Sequence, residues 1–212
     1  MPFHVCPTHD AMLTFLFHTD TRYGPGPHRV RFTVEFPSMQ NKGVFVIEVA
    51  SELMPHSSKL FLDQVSHRLW DNTAFWHHEG VDHLISAAAV SFKTGESRFH
   101  HFGALDVGRV SFAEYSEEMP HVPWTVGFAG KGPEFYINSV DNTKSHGPDG
   151  NTHQDNAVNE ADPCFGRIVE GLSVVKQMYS LSQKQTKQAD ERKDWNDNEL
   201  THIISAQILT NN

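Results

Sequence analysis

Phe165-Gly166-Arg167-Ile168-Val169-Glu170-Gly171-Leu172-Ser173-Val174-Val175-Lys176 decides the fold. An apolar run with β-branched residues predicts a buried strand. Gly171 supplies the turn, and Val174, Val175 and Met178 fall at helical spacing from about Ser173 to Leu181.

Working outward, Val30, Phe32, Val34 and Phe36 alternate with Arg29, Arg31, Thr33 and Glu35, the pattern of a strand with one buried face. Pro37 to Gly43 reads as a turn, and Val44 to Val49 as a second, nearly continuous apolar strand. A helix follows, with Pro55 in its first turn and Leu60, Phe61, Val65 and Leu69 as its apolar stripe. Residues 71–130 hold short apolar segments between Gly and polar clusters and predict further strands, as does Phe135-Tyr136-Ile137. From Asn138 to Pro163 the chain is rich in Asn, Asp, Gly, Ser, Thr and His, so a long loop with almost nothing buried is expected. Residues 183–199 read as a solvated linker and Thr201 to Leu209 as a final strand. Residues 1–27, ending in Tyr23-Gly24-Pro25-Gly26-Pro27, read as an arm whose Ala11–Phe17 run packs on the domain or on a partner chain, with a peripheral strand expected. The main domain is then 28–212. Its element order predicts a mainly β fold: a closed eight-stranded antiparallel barrel with two capping α-helices.

Composition narrows the partners. A formal charge of −9, with no basic block longer than Arg192-Lys193, argues against nucleic acid. Fifteen histidines make the surface charge sensitive to mildly acidic pH. The Ala11–Phe17 run is far short of the roughly 20 residues of a membrane span, and no signal-peptide pattern is visible, so a soluble chain without a direct membrane span is expected. The compartment stays open. Cys6 and Cys164 can pair, but two free thiols are the plainer expectation.

Several segments resemble the cyclophilin family in that family's order. Val44–Val49 followed by Met54-Pro55-His56-Ser57-Ser58-Lys59-Leu60-Phe61 is similar to its second strand and first helix. Asp71-Asn72-Thr73-Ala74-Phe75 resembles the Y-x-G-T-x-F approach to the catalytic strand, and Thr125–Gly130 resembles L-S-M-A-N. Pro133-Glu134-Phe135-Tyr136-Ile137 resembles S-Q-F-F-I, and Phe165–Val175 matches F-G-x-V-x-E-G-x-x-V-V. The resemblance implies the barrel and peptidyl-prolyl cis-trans isomerisation, a reaction needing no cofactor. It also implies a partner that is a proline-containing peptide or protein, alone or in a larger assembly.

The resemblance also implies a rewritten site. The family's arginine, whose guanidinium assists the prolyl amide, corresponds to His77. A neutral imidazole has one donor instead of a charged fork, a loss that could cost about 10²–10³ in rate. The groove expected by resemblance is Phe75, His83, Leu84, Ala129, Glu134 and Tyr136, with Tyr136 at a pocket phenylalanine; His146 is added by proximity alone. Glu134 facing His77 would form an acid–imidazolium pair. The expected function is a degenerate isomerase acting by protein or peptide binding or as a structural subunit. An active isomerase assisting protein folding is the alternative. A histidine-dependent metal site using His77, His78, His83 and Glu79 is a further one, although adjacent strand residues point apart and do not chelate together.

Overall fold

A computed structural model describes residues 22–23, 26–77, 83–148, 150, 160–185 and 200–210, with only the backbone described at 76–77 and 182–185. The elements are β1 (His28–Phe36), β2 (Asn41–Val49), α1 (Pro55–Ser66), β3 (Thr73–His77), β4 (Leu84–Ser91), α2 (Phe99–Ala104), β5 (Thr125–Phe128), β6 (Phe135–Asn138), α3 (Thr143–His146), β7 (Cys164–Glu170), α4 (Leu172–Gln185) and β8 (Thr201–Leu209). The strands close into an antiparallel barrel in the order β1-β2-β7-β5-β6-β4-β3-β8. The expected eight-stranded barrel is therefore present. Two short helices, α2 and α3, join the two expected ones among the described residues.

Alternation sets the register. Val30, Phe32, Val34 and Phe36 point inward from β1 and are all but fully buried. In β1–β2, Phe32 pairs with Phe45 and their rings stack at 5.1 Å. Phe135 of β6 is the hub, packing against Phe32, Phe61, Trp70 and Phe75 with centroids 4.8 to 5.8 Å apart.

The long helices close opposite mouths. α1 follows the C-terminal end of β2 and drives Phe61 between Phe128, Phe135 and Phe165. α4 lies at the N-terminal end of β2, where a Cβ on Gly43 would meet Val174 Cγ1 at 2.6 Å. Gly171 enters α4 at φ +73°, and a Cβ there would meet the Val44 carbonyl oxygen at 2.2 Å, so only glycine fits.

α1 ends earlier than its apolar stripe suggests. Arg68 adopts φ +56°, so Leu69 is buried in the turn beyond the helix. At its N-terminus the buried Glu114 carboxylate accepts the His56 and Ser57 backbone N–H groups at 3.1 and 2.8 Å. At the arm's end, Tyr23 donates to Asp63 and Arg22 Nη1 lies 3.1 Å from the same carboxylate. The Ala11–Phe17 run, Cys6 and most of the 183–199 linker lie outside the described residues. Cys164 is a free, buried thiol, and burial pushes its pKa up to about 12.

Phe135→Ala should cost about 3–5 kcal/mol in chemical denaturation, whereas Phe112→Ala, 40% exposed, should change stability by less than about 0.5 kcal/mol.

Candidate functional site

β6 turns Phe135 and Ile137 into the barrel and Tyr136 and Asn138 to its outer face. That outer face is covered by the segment that follows. The expectation that residues 138–163 bury almost nothing is corrected here: Asn138, Asn142, Ala161 and Asp162 are all buried. Polar side chains can be buried when they hydrogen-bond one another, which composition does not reveal. Asn142 Nδ2 donates to Asn138 Oδ1 at 2.7 Å and to the His83 carbonyl at 2.9 Å. Asn138 Nδ2 reaches Thr125 Oγ1 at 3.1 Å.

Asp162, fully buried, is the centre. Its Oδ1 accepts the Gly130 N–H at 3.0 Å, while Oδ2 lies 3.1 Å from Tyr136 Oη and 2.9 Å from His146 Nδ1. The carboxylate can only accept, so His146 carries its proton on Nδ1. With the His146 ring neutral, its Nε2 faces His83 Nε2 at 3.0 Å as an acceptor, and His83 donates. His121 Nε2 lies 3.1 Å from the Asp162 carbonyl and must donate to it, leaving Nδ1 bare 3.2 Å from Tyr136 Oη. The phenolic proton is shared between His121 Nδ1 and Asp162 Oδ2. One proton map satisfies all five side chains.

Electrostatics agrees with this map. Burial, then the neighbouring His146, lowers the His121 pKa from 6.5 to about 4, so the ring is neutral. Burial and then the Asp162 charge push the Tyr136 phenol well above its ordinary value, so it stays a donor.

The expected groove residues divide. His83, Tyr136 and His146 meet in this network. Leu84 opens β4 opposite Asn138 and is 5% exposed. Phe75 is inside the barrel, 1% exposed, packed on Phe45 and Phe135, so it faces the core and not a groove. Ala129 lies apart, on a surface cavity of about 490 Å³ shared with Phe99, Arg109, Lys131 and Pro133. Glu134 Oε1 accepts the Ala89 N–H at 3.0 Å. His77 is the last residue of β3, opposite Ile85; its side chain, with His78, Glu79 and Asp82, lies outside the described residues, as does the expected pair with Glu134. Among the described residues, no three His, Cys, Asp or Glu side chains converge as a metal site, and no helix is long and apolar enough to cross a membrane. His100 and His101 are exposed on α2.

Sequence reasoning missed His121 and Asp162. Asp162 immediately precedes Pro163 and the Cys164–Glu170 strand, and that placement beside a barrel strand was the available signal.

The folded chain keeps His121 neutral down to about pH 4, whereas the unfolded chain takes up that proton near pH 6.5. Its stabilising contribution is complete above about pH 6.5 and is lost as pH falls to about 4, a change on the order of 3 kcal/mol. In thermal melts across that window, His121→Gln should show a shallower acid loss of stability than the wild type.

The family model for "Cyclophilin type peptidyl-prolyl cis-trans isomerase/CLD" matches residues 33–199. No curated protein matches. Among solved structures, the chain is similar to a cyclophilin type peptidyl-prolyl cis-trans isomerase of Cryptosporidium parvum, with a TM-score of 0.54 at 14% identity, covering 87% of this chain and 99% of that one. A structure of that isomerase determined in the presence of the dipeptide Ala-Pro matches with a TM-score of 0.53 at 15% identity, covering 86% and 99%. At such identities the structures establish the fold, and the family model establishes membership. The chain belongs to the cyclophilin-type peptidyl-prolyl cis-trans isomerase family.

Proposed function

We propose that this chain is a binding member of the cyclophilin family whose isomerase site is degenerate. Its partner is a proline-containing peptide or protein, met alone or within a larger assembly. The observation that carries this reading is the cover over Tyr136. By resemblance this residue stands where the proline ring would be seated, yet it is 1% exposed. The His146 ring lies 5.0 Å from its own, and its hydroxyl is tied to Asp162.

A proline ring needs an open apolar surface. Here the chain's own imidazole occupies the space beside the phenol, and the groups behind it are polar. The histidine at position 77, which ends β3, adds to the reading. Rotation about the prolyl bond crosses a barrier of about 20 kcal/mol, and a neutral imidazole lacks the permanent charge and paired donors of a guanidinium. Recognition of an extended peptide does not require that donor, so binding can outlast catalysis.

The test is exchange NMR on an Ala-Pro-containing peptide, which measures cis–trans interconversion without a coupled protease. Interconversion at the uncatalysed rate is expected, and His77→Arg alone should not restore family-like turnover, because Tyr136 stays covered. Clear catalysis that disappears in His77→Ala would overturn the degenerate reading.

A further inference from the structure

The helical segment that carries His146 has a shape its length does not require. α3 is a single turn of four residues. Its Ser145 and His146 N–H groups are bonded to the Asn142 carbonyl at 3.0 and 2.9 Å, and the Gly147 N–H to the Thr143 carbonyl at 2.9 Å. So short a helix is not stable by itself. It is held at both ends: the Asn142 amide bonds the His83 carbonyl, and the Asp162 N–H donates to the His146 carbonyl at 2.9 Å. Between these ties stand two histidines joined head to head. Their Nε2 atoms are 3.0 Å apart and their ring centroids 5.0 Å apart, so each nitrogen points almost directly at the other.

Such a contact holds one proton between the two rings. In the neutral pair His83 donates to His146. A first added proton leaves one Nε2–H between the rings and strengthens the bond by charge. A second makes both nitrogens donors, setting N–H against N–H between two cations. Among the described residues, the other titratable groups around the pair are Asp162 and His121 beside His146, Tyr136 alongside it with Cys164 of β7 near its phenol, Lys144 on the segment and Asp141 just before it. His146 Nδ1 lies 2.9 Å from the Asp162 carboxylate, while the buried His121 stays neutral.

We propose that the Asn142–Gly147 segment is a built-in plug over the prolyl-peptide groove, latched by the His83–His146 hydrogen bond and released when both imidazoles are protonated. The proposal rests on the binding reading above and adds the regulation of that same site. The covered Tyr136 ring becomes the apolar floor that a proline would meet once His146 swings away. Acidification is thus the opening signal, and the ligand admitted is a prolyl peptide.

The experiment measures binding of an Ala-Pro-containing tetrapeptide to the full chain by NMR titration at about pH 7.5 and about pH 5. The wild type should bind at least about tenfold more tightly at the lower pH. His83→Gln keeps an N–H donor but cannot charge, so it should bind weakly at both. His146→Ala removes the plug and should bind tightly at both. Amide exchange guards against misfolding: after correction for intrinsic rates, the Ser145, His146 and Gly147 amides should lose protection at about pH 5 in the wild type and keep it in His83→Gln, with strand amides unchanged in both. Equal wild-type affinity at the two pH values, or no gain in His146→Ala at about pH 7.5, would overturn the plug. Prolyl exchange run on the same samples separates the two ideas. Fast wild-type turnover at about pH 7.5 defeats the degenerate site and the plug together. Absent turnover with no gain in His146→Ala defeats the plug alone.

Discussion

Asp162 brings its carboxylate into the fully buried space between β5, β6 and the segment that returns to β7, where it accepts from Gly130, Tyr136 and His146. Removing a carboxylate from water costs several kcal/mol unless it is well hydrogen-bonded. Those bonds offset that cost only if all three donors are in place, so each donor's position is constrained by the others. Gly130 fixes the end of β5, Tyr136 the outer face of β6, and His146 the short helix above it. The arrangement of the site depends on this one residue, since Tyr136 takes its proton position from the carboxylate and His121 from the Asp162 backbone carbonyl.

The barrel does not depend on it. The inner faces of the strands, the phenylalanine cluster around Phe135 and the two long helices form a core on the other side of β6. The Phe165–Gly171 stretch, with its family pattern, belongs to this core side and is separate from the outer face of β6. Gly171 is held by its left-handed backbone and its contact with the Val44 carbonyl, neither of which involves a substrate. The residues that carry this pattern are thus distinct from those of the Asp162 network.

The same division explains what could be read from the sequence. β1 was legible residue by residue because inward and outward positions alternate in polarity, and α1 because Pro55 marks its start. Leu69 misled on the helix's end, since a buried leucine in a turn has the spacing of one in a helix. The site was harder. His83, Tyr136 and His146 could be named from the family pattern and position, but their contacts could not. His121 and Asp162 sit in polar stretches that look solvated, and their burial comes from bonds between residues 15 to 41 positions apart. Phe75 illustrates the reverse: a residue beside a catalytic strand motif whose side chain serves the core.

A fixed set of protons closes the face of Tyr136. Long-range nitrogen–proton correlation NMR of the histidine rings at neutral pH reads those protons directly. His146 should be protonated on Nδ1 with a bare Nε2, and His121 on Nε2 with a bare Nδ1. A His146 ring protonated on Nε2, or one averaging freely between tautomers, would contradict this assignment.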